Sequence, residues 1–173
     1  MAGDVLHINP ATVAAPGGHY SHAVRAKDFV FISGQLPIAL DGTKLNEATF
    51  EQQAQQALDN VAQALAASGS SIAALTQVRI YVTDIKSWPA FDAIYAAWAG
   101  SIRPARAVVP VPELHYGFKI EVEAVAMNLT AYPSRHPRHR QPRVGDADRS
   151  TQVRSESKDI RRAKTELQRR RAR

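Results

Sequence analysis

The stretch FKIEVEAVAM, residues 118–127, decides the fold. Apolar and polar residues alternate along it, as expected for a β-strand, whose successive side chains point to opposite faces of a sheet. One face carries the apolar residues Ile120, Val122, Ala124 and Ala126. The other face carries the charged residues Lys119, Glu121 and Glu123. The alternation predicts a strand that packs one face on the core and leaves the other open.

Other strands are predicted on both sides of this stretch. Residues 29–34 (FVFISG) are a short apolar run rich in β-formers, and residues 20–25 can pair with it across a turn at 26–28. Residues 77–82 alternate and predict a strand with one packed face. The run RPARAVVP (103–110) is apolar apart from two arginines and predicts a buried strand, which raises the question of why a guanidinium would be buried there.

Two amphipathic helices separate these strands. Residues 49–52 (TFEQ) have the form of a capping box, and apolar residues follow at helical spacing up to Gly69. Apolar and aromatic residues repeat at helical intervals from Trp88 to Gly100, a stripe more typical of core packing than of ligand stacking. The order of two strands, helix, strand, helix and two strands predicts an α+β fold, in which a mixed sheet carries both helices on one face.

The opposite face of this predicted sheet is charged but has apolar surroundings. We expect Lys119, Glu121, Glu123 and Arg106 on it. Such a face is too apolar for plain solvent exposure and too charged for an ordinary core. A subunit interface lined with polar groups fits both properties.

Charge is distributed unevenly along the chain of 173 residues. Residues 1–132 hold 8 Lys and Arg against 11 Asp and Glu, whereas residues 133–173 hold 14 against 5. Residues 133–173 also contain few large apolar side chains, so we expect one domain at 1–132 and a basic, arginine-rich, disordered tail at 133–173. Nucleic-acid binding through this tail is a less favoured expectation, because the tail lacks interleaved aromatic residues and contains five acidic ones.

The sequence lacks features that several kinds of site and cellular location require. It contains no cysteine, which excludes disulfides, thiolate metal sites and a cysteine nucleophile. No apolar run approaches the roughly 18 residues that a membrane span needs. The first residues lack the features of a signal peptide, so we expect a cytoplasmic protein without a membrane partner. His19 and His22 have no third ligand at a metal-site spacing, so we expect no metal.

Four segments resemble the Rid family (YjgF/YER057c/UK114), the reactive-intermediate deaminases. They occur in the family's order and at its spacing between about residue 16 and residue 127: GHYSHAV at 18–24, FISGQLP at 31–37, RPAR at 103–106 and IEVEA at 120–124. The resemblance implies a chorismate-mutase-like fold and a homotrimer with sites between subunits. It also implies cofactor-independent hydrolysis of reactive enamines and imines, such as 2-iminobutanoate and 2-iminopropanoate derived from 2-aminoacrylate, to 2-keto acids and ammonia.

The resemblance implies four site residues. Arg106 would bind the substrate carboxylate, Glu121 would orient or deprotonate a water molecule, and Tyr20 and Ser33 would supply hydrogen bonds. The chemistry agrees, because a guanidinium matches a carboxylate bidentately. An imine carbon conjugated to a carboxylate is already electrophilic, so the reaction mainly needs a placed water and a proton acceptor.

Each of these residues also has a plainer interpretation. Arg106 would form an ion pair with Glu121 or Glu123, and Glu121 would form an interface ion pair with Lys119 or Arg103. Tyr20 would pack in the core. Ser33 would make a hydrogen bond to the backbone at a strand end.

The chain departs from the family pattern near the predicted cleft. His19 and His22 replace a common proline and glutamine, Val108 replaces the cysteine of many deaminating members, and LHYG at 114–117 replaces Leu-Pro-Lys. These changes bear on substrate size and rate, since His19, His22 and Tyr116 are expected to border the cleft. The alternative function is a non-catalytic trimer that binds a small carboxylate metabolite, or that acts in regulatory, chaperone-like or RNA-related roles.

Overall fold

The computed structural model of the protein describes residues 5–130. The predicted domain boundary at 132 and the predicted disordered tail lie outside these residues and stay predictions. Within the described part, the strands and α-helices follow one another as β1 (Val5–Ile8), β2 (Ala23–Ala26), β3 (Phe29–Gln35), α1 (Phe50–Ala67), β4 (Leu75–Val82), α2 (Trp88–Ala99), β5 (Ala105–Pro110) and β6 (Ile120–Met127). Short 3-10 turns lie at Ile72–Ala74, Ile85–Ser87 and His115–Gly117.

The strands form one mixed sheet in the order β1-β2-β3-β6-β4-β5. All neighbouring pairs are antiparallel except β4 and β5, which are parallel and are connected through α2. A parallel pair needs a crossover of this kind, whereas antiparallel strands can be joined by a tight turn. Strand β6 lies in the interior of the sheet between β3 and β4, and its burial alternates along its length as the sequence pattern predicted.

Both helices pack on one face of this sheet, which confirms the predicted α+β fold. The core side of β6 is fully buried at Ile120, Val122 and Ala126. Helix α1 buries a stripe that includes Leu58 and Leu65 against this side, and α2 adds Phe91 and Tyr95. Burying one such large side chain stabilises the fold by about 1.5–3 kcal/mol.

The predicted ends of α1 are confirmed. The Thr49 hydroxyl accepts a hydrogen bond from the backbone N–H of Gln52 at 3.3 Å, and the Gln52 side chain accepts one from the backbone N–H of Thr49 at 3.0 Å. This reciprocal pair is the capping box read from the sequence. The helix ends just before Gly69, which has a positive φ of 73° and lets the chain turn away.

Two strands differ from the sequence prediction. Strand β1 was not predicted, because its four residues are exposed or half-buried and show no alternation. Strand β5 was predicted to be buried and is instead the edge strand of the sheet, with most of its residues exposed. It pairs only with β4, so one of its sides has no strand neighbour. Arg106 is therefore not buried in a core.

The open face of the sheet carries Glu121 and Glu123, as predicted, and Glu123 pairs with Arg79 of β4. The placement of Lys119 and Arg106 on this face was wrong. The Lys119 ammonium donates to the backbone oxygen of Ala48 beside the start of α1. Arg106 is in register with the buried residue Val78 and so points to the helix side of the sheet. Among residues 5–130, no helix is long and apolar enough to cross a membrane.

Candidate functional site

Three of the four predicted site residues line one cavity. Tyr20, Ser33 and Glu121 surround a space of about 800 Å³ that is open to solvent on one side. Tyr20 comes from the loop before β2, Ser33 from the end of β3, and Glu121 from the open face of β6. The structure therefore brings together one carboxylate and two hydroxyl groups in a single concave site.

A β-bulge in β3 shapes the centre of this cavity. Ile32 pairs with Ala124 and Gln35 pairs with Val122, so Ser33 and Gly34 of β3 lie opposite the single residue Glu123 of β6. A bulge of this kind bends a strand and redirects its side chains, and bulges are common beside active sites. The Ser33 hydroxyl donates to the backbone oxygen of Ser21 at 2.7 Å. The plainer interpretation of Ser33 is thus correct, yet its oxygen can still accept a hydrogen bond from a ligand.

Glu121 lies directly over the bulge. A Cβ atom at residue 34 would overlap the Glu121 carboxylate, so the glycine makes room for it. Burial raises the pKa of the Glu121 carboxyl above its ordinary value; the charge of His115 opposes this shift, and that of Glu123 adds to it. A carboxylate with a raised pKa holds a proton more readily, which suits a group that takes a proton from water near neutral pH.

Neither ion pair considered for Glu121 is present among the described residues. The Lys119 ammonium donates to Ala48, and the Arg103 guanidinium donates to the backbone oxygens of Gly100 and Ile102. Within residues 5–130, the salt bridges join Arg79 to Glu123 and Arg106 to Asp92. The carboxylate of Glu121 is therefore free to bind a ligand or a water molecule in the cavity.

Tyr20 is 47% exposed, so its interpretation as a core residue was wrong. Its ring meets the ring of His22 edge-on, with 5.9 Å between the centroids. His22 is buried and its Nε2 lies 2.8 Å from the backbone oxygen of Ala14, which is consistent with donation from Nε2. The other ring nitrogen, Nδ1, has no hydrogen-bond partner within the described part of the chain.

The cavity has further walls that sequence reasoning missed or only partly predicted. His22 and Tyr116 border it as predicted, whereas His19 does not. His115 and Lys44 also line it and were not predicted. Lys44 belongs to the loop between β3 and α1, which Asn60 of α1 holds through hydrogen bonds to the backbone oxygens of Leu36 and Ile38, both 3.0 Å. The polar residue Asn60 on the core side of α1 was the feature of the sequence that could have indicated a loop bound there.

Arg106 lies outside this cavity, in a groove between β5 and α2. Its guanidinium donates to the Asp92 carboxylate at 2.9 Å. It also lies over two aromatic rings, 4.6 Å from the centroid of Trp88 and 4.8 Å from that of Tyr95. Cation–π contact and a carboxylate partner explain how this charge is held at the sheet edge. The ion pairs considered with Glu121 and Glu123 were wrong.

The chain matches a known protein family over most of its described residues. A model of the endoribonuclease L-PSP family matches residues 11–128. The chain belongs to this family, the Rid (YjgF) family. The match covers the sheet from β2 onward, both helices and all four predicted site residues, so it confirms the resemblance found in the four sequence segments.

Relatives of this Rid chain come from several kingdoms. Protein HMF1 of Saccharomyces cerevisiae is 36% identical over 112 residues, which are 65% of this chain and 86% of that protein. The protein named Reactive Intermediate Deaminase A, chloroplastic, of Arabidopsis thaliana is 32% identical over 118 residues, 67% of this chain and 63% of its own length. The crystal structure of the YjgF gene product from E. coli has a TM-score of 0.67 at 29% identity, covering 70% of this chain and 98% of that one.

No group of three or more His, Asp or Glu side chains within residues 5–130 is placed to hold a metal ion, and His22 is already bonded to Ala14. Val108, where many deaminating members carry cysteine, borders an apolar surface hollow with Trp88 and Pro89.

Proposed function

We propose that this Rid protein is a cofactor-independent deaminase that hydrolyses 2-imino acids to 2-keto acids and ammonia. One observation carries the proposal: a carboxylate with a raised pKa, without an ion-pair partner among the described residues, lies in an open cavity with the Tyr20 and Ser33 hydroxyls. The name of the Arabidopsis relative, which refers to reactive-intermediate deamination, supports the same chemistry.

In the proposed reaction Glu121 takes a proton from a water molecule as that water attacks the imine carbon. The C–O bond forms while the electrons of the C=N bond move to nitrogen, which receives a proton. The resulting aminoalcohol loses ammonia when its hydroxyl proton is transferred and its C–N bond breaks, which leaves the 2-keto acid. General acid–base catalysis of this kind contributes typically about 10²–10⁴-fold to a rate. Tyr20 and Ser33 would hold the water or the imine nitrogen by hydrogen bonds.

Arg106 is the proposed partner of the substrate carboxylate, although its groove is separate from the cavity within one chain. We propose that a homotrimer brings Arg106 of one subunit to the cavity of the next. The position of Arg106 on an unpaired edge strand supports this arrangement, because β5 is free to approach another subunit. The open sheet face, where Phe29 and Phe31 are 43% and 47% exposed, supports an assembly as well.

The first experiment measures ammonia or keto-acid release from imino acids that an amino-acid oxidase generates in situ. Wild-type protein should accelerate the release, and Arg106→Ala should abolish the acceleration while the assembly keeps its mass. Full activity of Arg106→Ala would contradict the mechanism. No acceleration by the wild type with small, aliphatic or aromatic imines would contradict the proposed function itself.

A second experiment tests whether the site combines two subunits. Arg106→Ala and Glu121→Gln are each expected to be inactive. If both are unfolded together and refolded in equal amounts, about a quarter of wild-type activity should return, because one site in four then joins an intact Arg106 to an intact Glu121. A mixture that stays inactive would show that both residues serve the same subunit's site.

A further inference from the structure

Large aromatic and aliphatic side chains stand exposed at the rim of the cavity. Three of its side chains are large and exposed: Tyr20 at 47%, Leu40 at 60% and Tyr116 at 53%. Large apolar side chains exposed around one concavity are typical of a site for an apolar ligand group. The cavity of about 800 Å³ also lies within the range that holds ligands of drug size, about 300–1,000 Å³.

Tyr116 makes two contacts through its ring at this rim. The Lys44 ammonium lies 4.6 Å from the centroid of its ring, and the Phe118 ring packs against it edge-on, 5.8 Å between centroids. Its backbone has a positive φ of 61°, which a residue with an aromatic side chain rarely adopts. Strain of this kind persists only where the surroundings enforce it, and it is common at ligand sites. The ring is therefore pre-positioned in the cavity wall.

We infer that the cavity is built for 2-imino acids with an aromatic side chain, and that Tyr116 is the residue that selects them. The inference rests on the proposed function and names its substrate class. With the imine carbon at Glu121, the side chain of the substrate extends toward the rim, where the rings of Tyr116 and Tyr20 can pack against it. Offset and edge-on contacts between aromatic rings are worth about 0.5–1.5 kcal/mol beyond simple burial.

The charges of the rim argue against an acidic side chain as the preferred group. Lys44 lines the cavity and could attract an acidic group, but its ammonium already lies over the Tyr116 ring. Asp41 lines the same cavity from the same loop, and hydrogen bonds from Thr43 lower the pKa of its carboxyl, so that it stays charged. A second carboxylate on the substrate would meet this negative charge, whereas an aromatic ring would not.

The test compares the imines of phenylalanine and of 2-aminobutanoate, each made in situ by an amino-acid oxidase. The measured quantity is the ratio of kcat/KM for the aromatic imine to kcat/KM for the small one. Wild-type protein should favour the aromatic imine. Tyr116→Gly should lower this ratio about three- to tenfold, the loss expected for one aromatic contact. Tyr116→Phe keeps the ring and should retain the ratio.

Tyr116→Gly is a suitable variant because glycine adopts a positive φ without strain, which partly offsets the loss of the ring contacts with Lys44 and Phe118. A binding measurement separates the two proposals. Phenylpyruvate, the keto-acid product, is titrated by calorimetry into wild-type and Tyr116→Gly protein, and the variant should bind it about three- to tenfold more weakly.

Each failure has its own signature. If the protein hydrolyses neither imine, the proposed function is wrong, and the phenylpyruvate titration alone decides whether the cavity takes an aromatic group. If it hydrolyses the small imine and Tyr116→Gly leaves the ratio unchanged, the proposed function stands and the aromatic inference is wrong. Loss of assembly mass in Tyr116→Gly would also overturn the inference, because the ring would then serve subunit contact.

Discussion

The Glu121 carboxylate occupies the space that a side chain on residue 34 would need, so Gly34 and Glu121 fit together only because residue 34 has no Cβ atom. The two residues lie on neighbouring strands, and the bulge in β3 sets their distance. The glycine leaves the room in which the proposed base lies. A substitution at Gly34 can therefore move the Glu121 carboxylate while the carboxyl group itself stays the same.

Gly34→Ala should displace the Glu121 carboxylate and lower kcat/KM for imine hydrolysis by about 10²-fold, the loss that misplacement of a reacting group by about 1 Å can cause. Gly17→Ala is the matched control. It lies beside the same cavity, but a Cβ there would only touch the Tyr116 hydroxyl at an ordinary distance of 3.9 Å. It should lower kcat/KM far less. Equal effects of the two variants would contradict a positioning role for Gly34.

The raised pKa of Glu121 predicts the acid limb of the pH–rate profile. The proposed base works only when it is deprotonated, so kcat/KM should fall as the pH drops through a value above that of an ordinary glutamate. The measurement is kcat/KM against pH with an imine that is supplied chemically over the whole range. A limb at the ordinary glutamate value, or none, would show that Glu121 is not the base.

The raised pKa of Glu121 also predicts that its charged carboxylate lowers the free energy of unfolding. Its pKa is higher in the folded than in the unfolded chain, so the folded state binds more protons between the two values. Stability therefore falls as the pH rises through this window, and the loss remains at neutral pH. Glu121→Gln should unfold at a higher temperature than the wild type at pH 7, and this gain should disappear in acid below both pKa values.

Glu51→Gln provides a comparison for this stability prediction. Glu51 lies in the first turn of α1, where a negative charge stabilises the helix by about 0.3–1 kcal/mol. Its replacement should lower the unfolding temperature at pH 7, the opposite direction to Glu121→Gln. A similar gain for both variants would mean that the domain responds to its total charge and not to the burial of Glu121.

The ion pair between Arg106 and Asp92 predicts a gain in substrate affinity when the acid is neutralised. Asp92 competes with a ligand carboxylate for the guanidinium, and its side chain is 50% exposed, so the pair is weak. Asp92→Asn should lower KM by up to about fivefold, because an exposed ion pair contributes about 0.2–1 kcal/mol and 1 kcal/mol corresponds to about fivefold. Asp59→Asn on α1 changes the same charge at a residue that accepts a hydrogen bond from Gln55 and not from Arg106, so it should leave KM unaltered. An unchanged KM in Asp92→Asn would argue against Arg106 as the carboxylate ligand.

Periodicity in the sequence predicted the interior of the fold well. Strand β6 and helix α1 bury one face along their whole length, and a strictly one-sided burial leaves a regular pattern in the sequence. Strand β1 leaves no such pattern because it lies at an edge. The apolar run around Arg106 was misinterpreted for a related reason: the order of strands in a sheet depends on distant pairings, and the pattern of one strand does not record it.

The site was predictable to the extent that its residues lie in the four family segments. Tyr20, Ser33 and Glu121 come from three of these segments and meet in one cavity. The partner of Arg106 was not predictable, because Asp92 lies on α2 and meets the arginine only through the packing of that helix beside β5. Lys44 was missed similarly, since it reaches Tyr116 from a loop 72 positions earlier in the chain.

The bulge at Ser33 and Gly34 also reverses the phase of β3. Before it the even-numbered residues Val30 and Ile32 face the core, and after it the odd-numbered Gln35 does. The strand thus contains one residue more than a regular ladder would hold. Deleting Gly34 would restore regular pairing and keep every core contact in phase, but it would remove the gap that Glu121 fills. In evolutionary terms, the proposed catalytic pocket and a plain structural strand are here separated by the insertion or loss of a single codon.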